Sequence, residues 1–173
     1  MKTRHFWLAA LLCAGCGSLA ARAVETNAPA AVSARDAARS FALYQAGLAL
    51  QNGKNDLDGA VAKYEEALRI NPANADCLNH YAWFLAVDAP AGRKQVDRGI
   101  ELALRAVQAS EGMRPDILDT LAEAYFQKGD LARAAKIGRQ AVRVQQESGS
   151  PKYQNYLQRQ LAKFEQAAQG KKP

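Results

Sequence analysis

With 173 residues, 49% of them apolar, and a formal charge of +6, the chain is long enough for one continuous core and too short for several large domains. Lys2, Arg4 and Arg22 lie in the first 23 positions with no acid beside them, so the remainder holds 20 basic against 17 acidic residues, a charge of +3. That near balance argues against nucleic acid as a partner, and a single thiol beyond the leader, Cys77, excludes an internal disulfide.

The leader comes first. Lys2 and Arg4 precede an apolar stretch from Phe6 to Ala14, and small residues then lead to Ala21-Arg22-Ala23. This order predicts a secretory signal peptide over 1–23. The stretch is too short and too interrupted for a membrane-spanning helix, which needs about 20 apolar residues. Two kinds of processing remain open: cleavage before Val24, or lipidation of Cys16 within the lipoprotein-like run Cys13-Ala14-Gly15-Cys16-Gly17-Ser18. Either outcome places the mature chain outside the cytoplasm, in the periplasm or envelope, and a lipid on Cys16 is the only expected attachment to a membrane.

Residues 24–32 are weakly patterned and read as a linker. Ser33 and Asp36 form a capping-box-like start for a first helix that reaches about Gln51. The segment from Gly53 to Asp56 turns the chain, and Ala60, Tyr64 and Ala67 mark a second helix that Pro72 stops. Leu78, Tyr81, Ala82 and Leu85 mark the next. After an insertion over 88–95 come Gly99, Ala103 and Ala106, then Leu118, Leu121, Ala122 and Tyr125, a turn at Gly129-Asp130, and Ala134, Gly138 and Ala141. Ala67 to Ala106 is 39 residues and Ala106 to Ala141 is 35, a period of 34 with two small insertions. Three helix pairs are predicted over 33–148. A last helix over 150–169 follows, with Ser150 as its cap, Pro151 at its first position, and an apolar stripe of Tyr153, Tyr156, Leu157, Leu161 and Phe164 to cover the third pair or, alternatively, to bind a partner. Residues 170–173 form a polar tail.

The spaced units Leu43-x2-Ala46-Gly47-x2-Leu50, Leu78-x2-Tyr81-Ala82-x2-Leu85 and Leu118-x2-Leu121-Ala122-x2-Tyr125, each followed by Ala or Gly positions on a second helix, resemble the tetratricopeptide repeat family. The resemblance extends to bacterial exported members of that family. Leucine replaces the signature tryptophan at 43, 78 and 118, and Gly138 and Ala103 stand where a large aromatic is usual. The resemblance implies an all-α solenoid of three helix pairs plus a capping helix. It also implies that the first helices line a concave surface for a protein or peptide.

Mapped onto that surface are Phe41, Tyr44 and Leu48 beside Gln51, then Asp76, Asn79 and Trp83, then Asp116, Asp119, Glu123 and Phe126. Such a groove is aromatic at one end and acidic at the other, suiting a ligand with apolar anchors and basic flanks. Packing into the core competes as a role for Phe41, Trp83 and Phe126. The family's carboxylate clamp would fall on Tyr44, Leu48, His80, Asp116 and Thr120, which are not the Lys, Asn and Arg it requires. Beyond the leader His80 is the only histidine, a surface or groove side chain in this reading. No catalytic residue, metal or cofactor is expected, and the chain is expected not to be an enzyme.

Overall fold

The computed structural model describes residues 32–147, 151 and 153–170. The expected signal peptide, Cys16, most of the linker and Ser150 lie outside the described residues.

The first helix, α1 (Ala34–Ala49), starts as its sequence requires: Ser33 Oγ accepts from the Asp36 amide and donates to the Asp36 carboxylate, at 3.1 and 2.7 Å. It continues into a π turn over Leu50–Lys54 and is closed by Asn55 in the left-handed region, φ 52°. The reversal expected over Gly53 to Asp56 falls on Asn55, one of the few non-glycine types that tolerates positive φ. Asp56 caps α2 (Leu57–Ile70) through the Gly59 amide.

Asn74 caps α3 (Ala75–Trp83), which also runs into a π turn, Phe84–Asp88. The insertion then folds back as a single 3-10 turn, Ala91–Arg93, with the Gln95 amide returned to the Leu85 carbonyl and Arg93 paired with Asp58. Next come α4 (Val96–Ala109), α5 (Pro115–Lys128), α6 (Leu131–Glu147) and α7 (Gln154–Ala168). Gly129, at φ 83°, ends α5, and Asp130 receives the Arg133 amide at the start of α6. The final helix begins at Gln154, so Pro151 sits in the preceding turn and not at its first position.

The most extensive contacts are between α1 and α2, α3 and α4, α5 and α6, and α6 and α7. The helices therefore stack in chain order, with no strand among the described residues. One core of Tyr64, Leu78, Leu85, Leu102, Ile117, Leu121 and Phe164, studded with fully buried alanines, runs through the stack. Small residues meet large ones across it. A Cβ on Gly47 would lie 2.5 Å from Tyr64 Cε1, and one on Gly138 3.0 Å from Phe164 Cδ2. In the second pair, small faces small: a Cβ on Gly99 would meet the Ala86 Cβ at 2.9 Å and the Ala82 carbonyl at 3.0 Å.

One buried polar relay ties the first pair to the second. Ser40 Oγ donates to the Ala67 carbonyl at 2.8 Å and accepts from Asn74 Nδ2 at 2.9 Å, while Asn74 Oδ1 accepts from the Cys77 amide. Each buried polar group in that chain is satisfied, so it fixes helix order at little desolvation cost. Cys77 is fully buried, and burial pushes its thiol up to about 12. It is a packing residue.

Candidate functional site

The first-helix surface divides into three parts. Its first part belongs to α1 and α3. Phe41 is 48% exposed and its ring lies 5.9 Å from Tyr44, which in turn approaches His80 at 6.1 Å and Tyr64 at 6.3 Å. Leu48 is half-buried against the core. His80 is not an open groove residue. Its ring packs edge-on against Tyr64 at 5.6 Å, and its Nε2 reaches Gln51 Oε1, which also accepts the Tyr64 hydroxyl at 2.8 Å. Burial lowers the His80 pKa, which favours the neutral ring.

The middle of the surface is charged, but its charges are held in pairs. Arg114, in the turn before α5, donates Nη1 to Asp76 at 2.5 Å and Nη2 to Asp116 at 2.6 Å. Those bonds, to Asp116 first and then Asp76, hold the guanidinium pKa above its usual range. The same staple joins α3 to the start of α5 across 38 residues of sequence. Asn79, half-buried one turn after Asp76, keeps its Oδ1 shielded and without a hydrogen-bond partner. Trp83, also half-buried, follows one turn later.

At the third part the structure corrects the sequence reading. Asp119 and Glu123 are 3% and 4% exposed, so they are not the open acidic end of a groove. The reason is α7, which lies on α6 and reaches across to α5. Lys163 donates to Glu123 at 2.5 Å, the Tyr153 hydroxyl to Asp119 at 3.4 Å, and Gln127 to Glu123 at 2.9 Å. Phe126 is half-buried, 5.5 Å from Phe164, with Lys163 Nζ 4.6 Å from its ring centre. Of the acids mapped to the surface, Asp76 and Asp116 alone keep side chains exposed, at 46% and 41%.

Sequence reasoning missed two residues that shape this surface, Arg114 and Lys163. A signal existed for the first, since an arginine two positions before an acid at a helix start can fold back on it. For Lys163, one charged residue beside an apolar stripe gave no direction. Thr120, at a clamp position, is buried and its hydroxyl turns to the Asp116 carbonyl. Among the described residues no group of three or more His, Cys, Asp or Glu could hold a metal, and no helix is long and apolar enough to cross a membrane.

Solved structures share this stacking. The crystal structure of the Sgt2 TPR domain from Aspergillus fumigatus is similar with a TM-score of 0.60 at 23% identity, over 78% of this chain and 85% of that one. The N-terminal domain of stress-induced protein-1 (STI-1) from C. elegans is similar with a TM-score of 0.59 at 17% identity, over 77% of this chain and 99% of that one. The fold is a tetratricopeptide-type α-solenoid. No family model matches the chain, and no curated protein matches it in sequence. At these identities the likeness is one of fold, and the chemistry of the surface has to be argued from this chain's own residues.

Proposed function

We propose that this solenoid is an exported, non-enzymatic adaptor that binds a protein or peptide of the cell envelope through the first-helix surface of its first two helix pairs. The observation that carries the reading is the exposed Phe41 ring beside half-buried Tyr44, with half-buried Trp83 on α3, on the stretch of surface that α7 leaves uncovered. Partly exposed aromatic side chains flanked by polar groups can anchor a ligand segment, and energy at such surfaces concentrates in a few aromatic contacts. Asp76 and Asp116 share one arginine, which leaves that rim one charge acidic and favours a ligand with basic flanks. Export rests on the leader pattern over 1–23. The Cys13-to-Ser18 run supports a second version, in which Cys16 carries a lipid and the solenoid serves as an anchored envelope assembly component through its outer or last helix.

Capture of partners from envelope extracts by the mature chain, with Phe41→Ala/Trp83→Ala as the control, tests the surface. A loss of at least about thirtyfold in affinity is expected for the double variant, the scale of aromatic hot spots. Equal capture by a double variant with an intact helical circular-dichroism spectrum would refute the assignment. Asp119→Lys/Glu123→Lys is not a fair probe of the groove, because both positions lie under α7. An N-terminus at Val24 would exclude the anchored version, and loss of membrane attachment in Cys16→Ser would support it.

A further inference from the structure

Asp119 and Glu123 stand one helical turn apart on α5, both withdrawn from water, and one ammonium serves the two. Lys163 sits on Glu123 at 2.5 Å, whereas among the described residues Asp119 has neutral phenol donors alone: Tyr156, and Tyr153 at 3.4 Å, the far limit of a useful bond. Among the described residues, the charged and titratable groups facing Asp119 are Asp116 and Glu123 on its own helix, Tyr153 at the cap of α7, and Tyr156 and Lys163 on α7. Asp116 is already engaged by Arg114. The seam between α5 and α7 therefore closes over one negative charge more than it neutralises, and a buried carboxylate without a cation is costly.

We propose that α7 is a proton-coupled cover, whose closure over α5 takes up a proton at Asp119, so that it seats more firmly in acid and bares the Asp119–Glu123–Phe126 face more readily toward neutral and alkaline pH. Burial pushes the Asp119 carboxyl from 3.8 up to about 6, with Glu123 adding to the rise and Tyr156, Tyr153 and Lys163 opposing it. A raised folded-state value means that the closed form holds the proton more tightly than the open one. The stabilisation is therefore complete below about 4 and is lost as the pH climbs through about 6. From those two values the closing equilibrium weakens about tenfold between pH 5 and pH 8. His80 shifts the other way, losing stability as it charges in acid, but it packs against Tyr44 of α1 and Tyr64 of α2, away from this seam, so a readout local to α7 separates the two.

Native-state hydrogen exchange of α7 amides, corrected for intrinsic rates, tests the cover independently of any partner. In the mature wild-type chain, protection of Leu157 to Phe164 is expected to fall about tenfold from pH 5 to pH 8 relative to α4, which does not carry His80, as the difference between the two carboxyl values requires. Asp119→Asn keeps the shape and both phenol contacts without the charge, so its α7 protection should stay high and flat across that range. Unchanged α7 protection in the wild type, or the same pH dependence in Asp119→Asn, would overturn the proposal. A carboxyl-carbon NMR titration of wild-type Asp119 decides the matter even if the variant folds poorly: a midpoint near 6 supports the cover, and one below about 4.5 rejects it.

Discussion

Phe164→Ala should lower unfolding stability by about 3–5 kcal/mol, the range for removing a buried phenylalanine from a packed site. Phe164 is fully buried, and it fills the space over Gly138 where a second-helix side chain of the third pair would otherwise stand. Its neighbours cannot close the gap. The Gly138 backbone is fixed within α6, and the Phe126 ring 5.5 Å away is tied beneath Lys163. Losing that anchor also loosens the cover on Asp119 and Glu123, so α7 should melt ahead of the other helices. In urea this appears as a lower midpoint with a shallower slope, since the unfolding unit has shrunk. Phe126→Ala, at a half-buried ring, should cost less. A loss below about 1 kcal/mol for Phe164→Ala would mean that α7 is not seated on Gly138.

The second large effect comes from adding atoms. Gly47→Leu is expected to destabilise the chain by roughly 3 kcal/mol, at the upper end of overpacking. Even Gly47→Ala should destabilise, although alanine is favoured over glycine in a helix interior by about 1 kcal/mol. The sign turns on Tyr64. A Cβ at 47 would come within 2.5 and 2.8 Å of two of its ring carbons. The ring has nowhere to go, because it is fully buried, its hydroxyl is bonded to Gln51, and the rings of Tyr44, His80 and Tyr81 stand around it at 6.3, 5.6 and 5.5 Å. Gly53→Ala is the internal control. Nothing lies within 4 Å of a Cβ there, so it should be neutral or stabilising by up to about 1 kcal/mol in the same urea experiment.

Much of this scaffold could be read from residue spacing, for a physical reason. Helix pairs packed through small-to-large contacts leave alanine and glycine at fixed offsets from Leu and Tyr, and Gly47 with Tyr64 and Ala60 kept that record. Caps were equally legible at Ser33, Asp56 and Gly129, where the local hydrogen bonds involve residues only a few positions apart. The π turns at Leu50–Lys54 and Phe84–Asp88 were not, because an extra residue per turn follows from tertiary packing and has no strong side-chain code.

The surface was harder to read. Periodicity tells which residues share a helix face, and it placed Asp119, Glu123 and Phe126 together correctly. It cannot tell what covers that face. The clue lay far away in the chain: Gly138, standing where a bulky residue is usual, needed a filler from elsewhere. The element that supplies Phe164 also brings Lys163 and Tyr153 over the two acids. His80 was misjudged in the same way, since its partners Gln51 and Tyr64 lie 29 and 16 positions back.

Nested packing of the helices, with the last one closing the third pair, can be checked by proton NMR of residues 24–173 in solution. Strong cross-peaks are expected between the Phe164 ring and the Gly138 α-protons, and between the Tyr64 ring and those of Gly47, with both glycine signals displaced by the adjacent rings. If the Gly138 signals were unshifted and without a cross-peak to Phe164, α7 would not lie where it hides Asp119 and Glu123, and the division of the first-helix surface into an open and a covered part would be wrong.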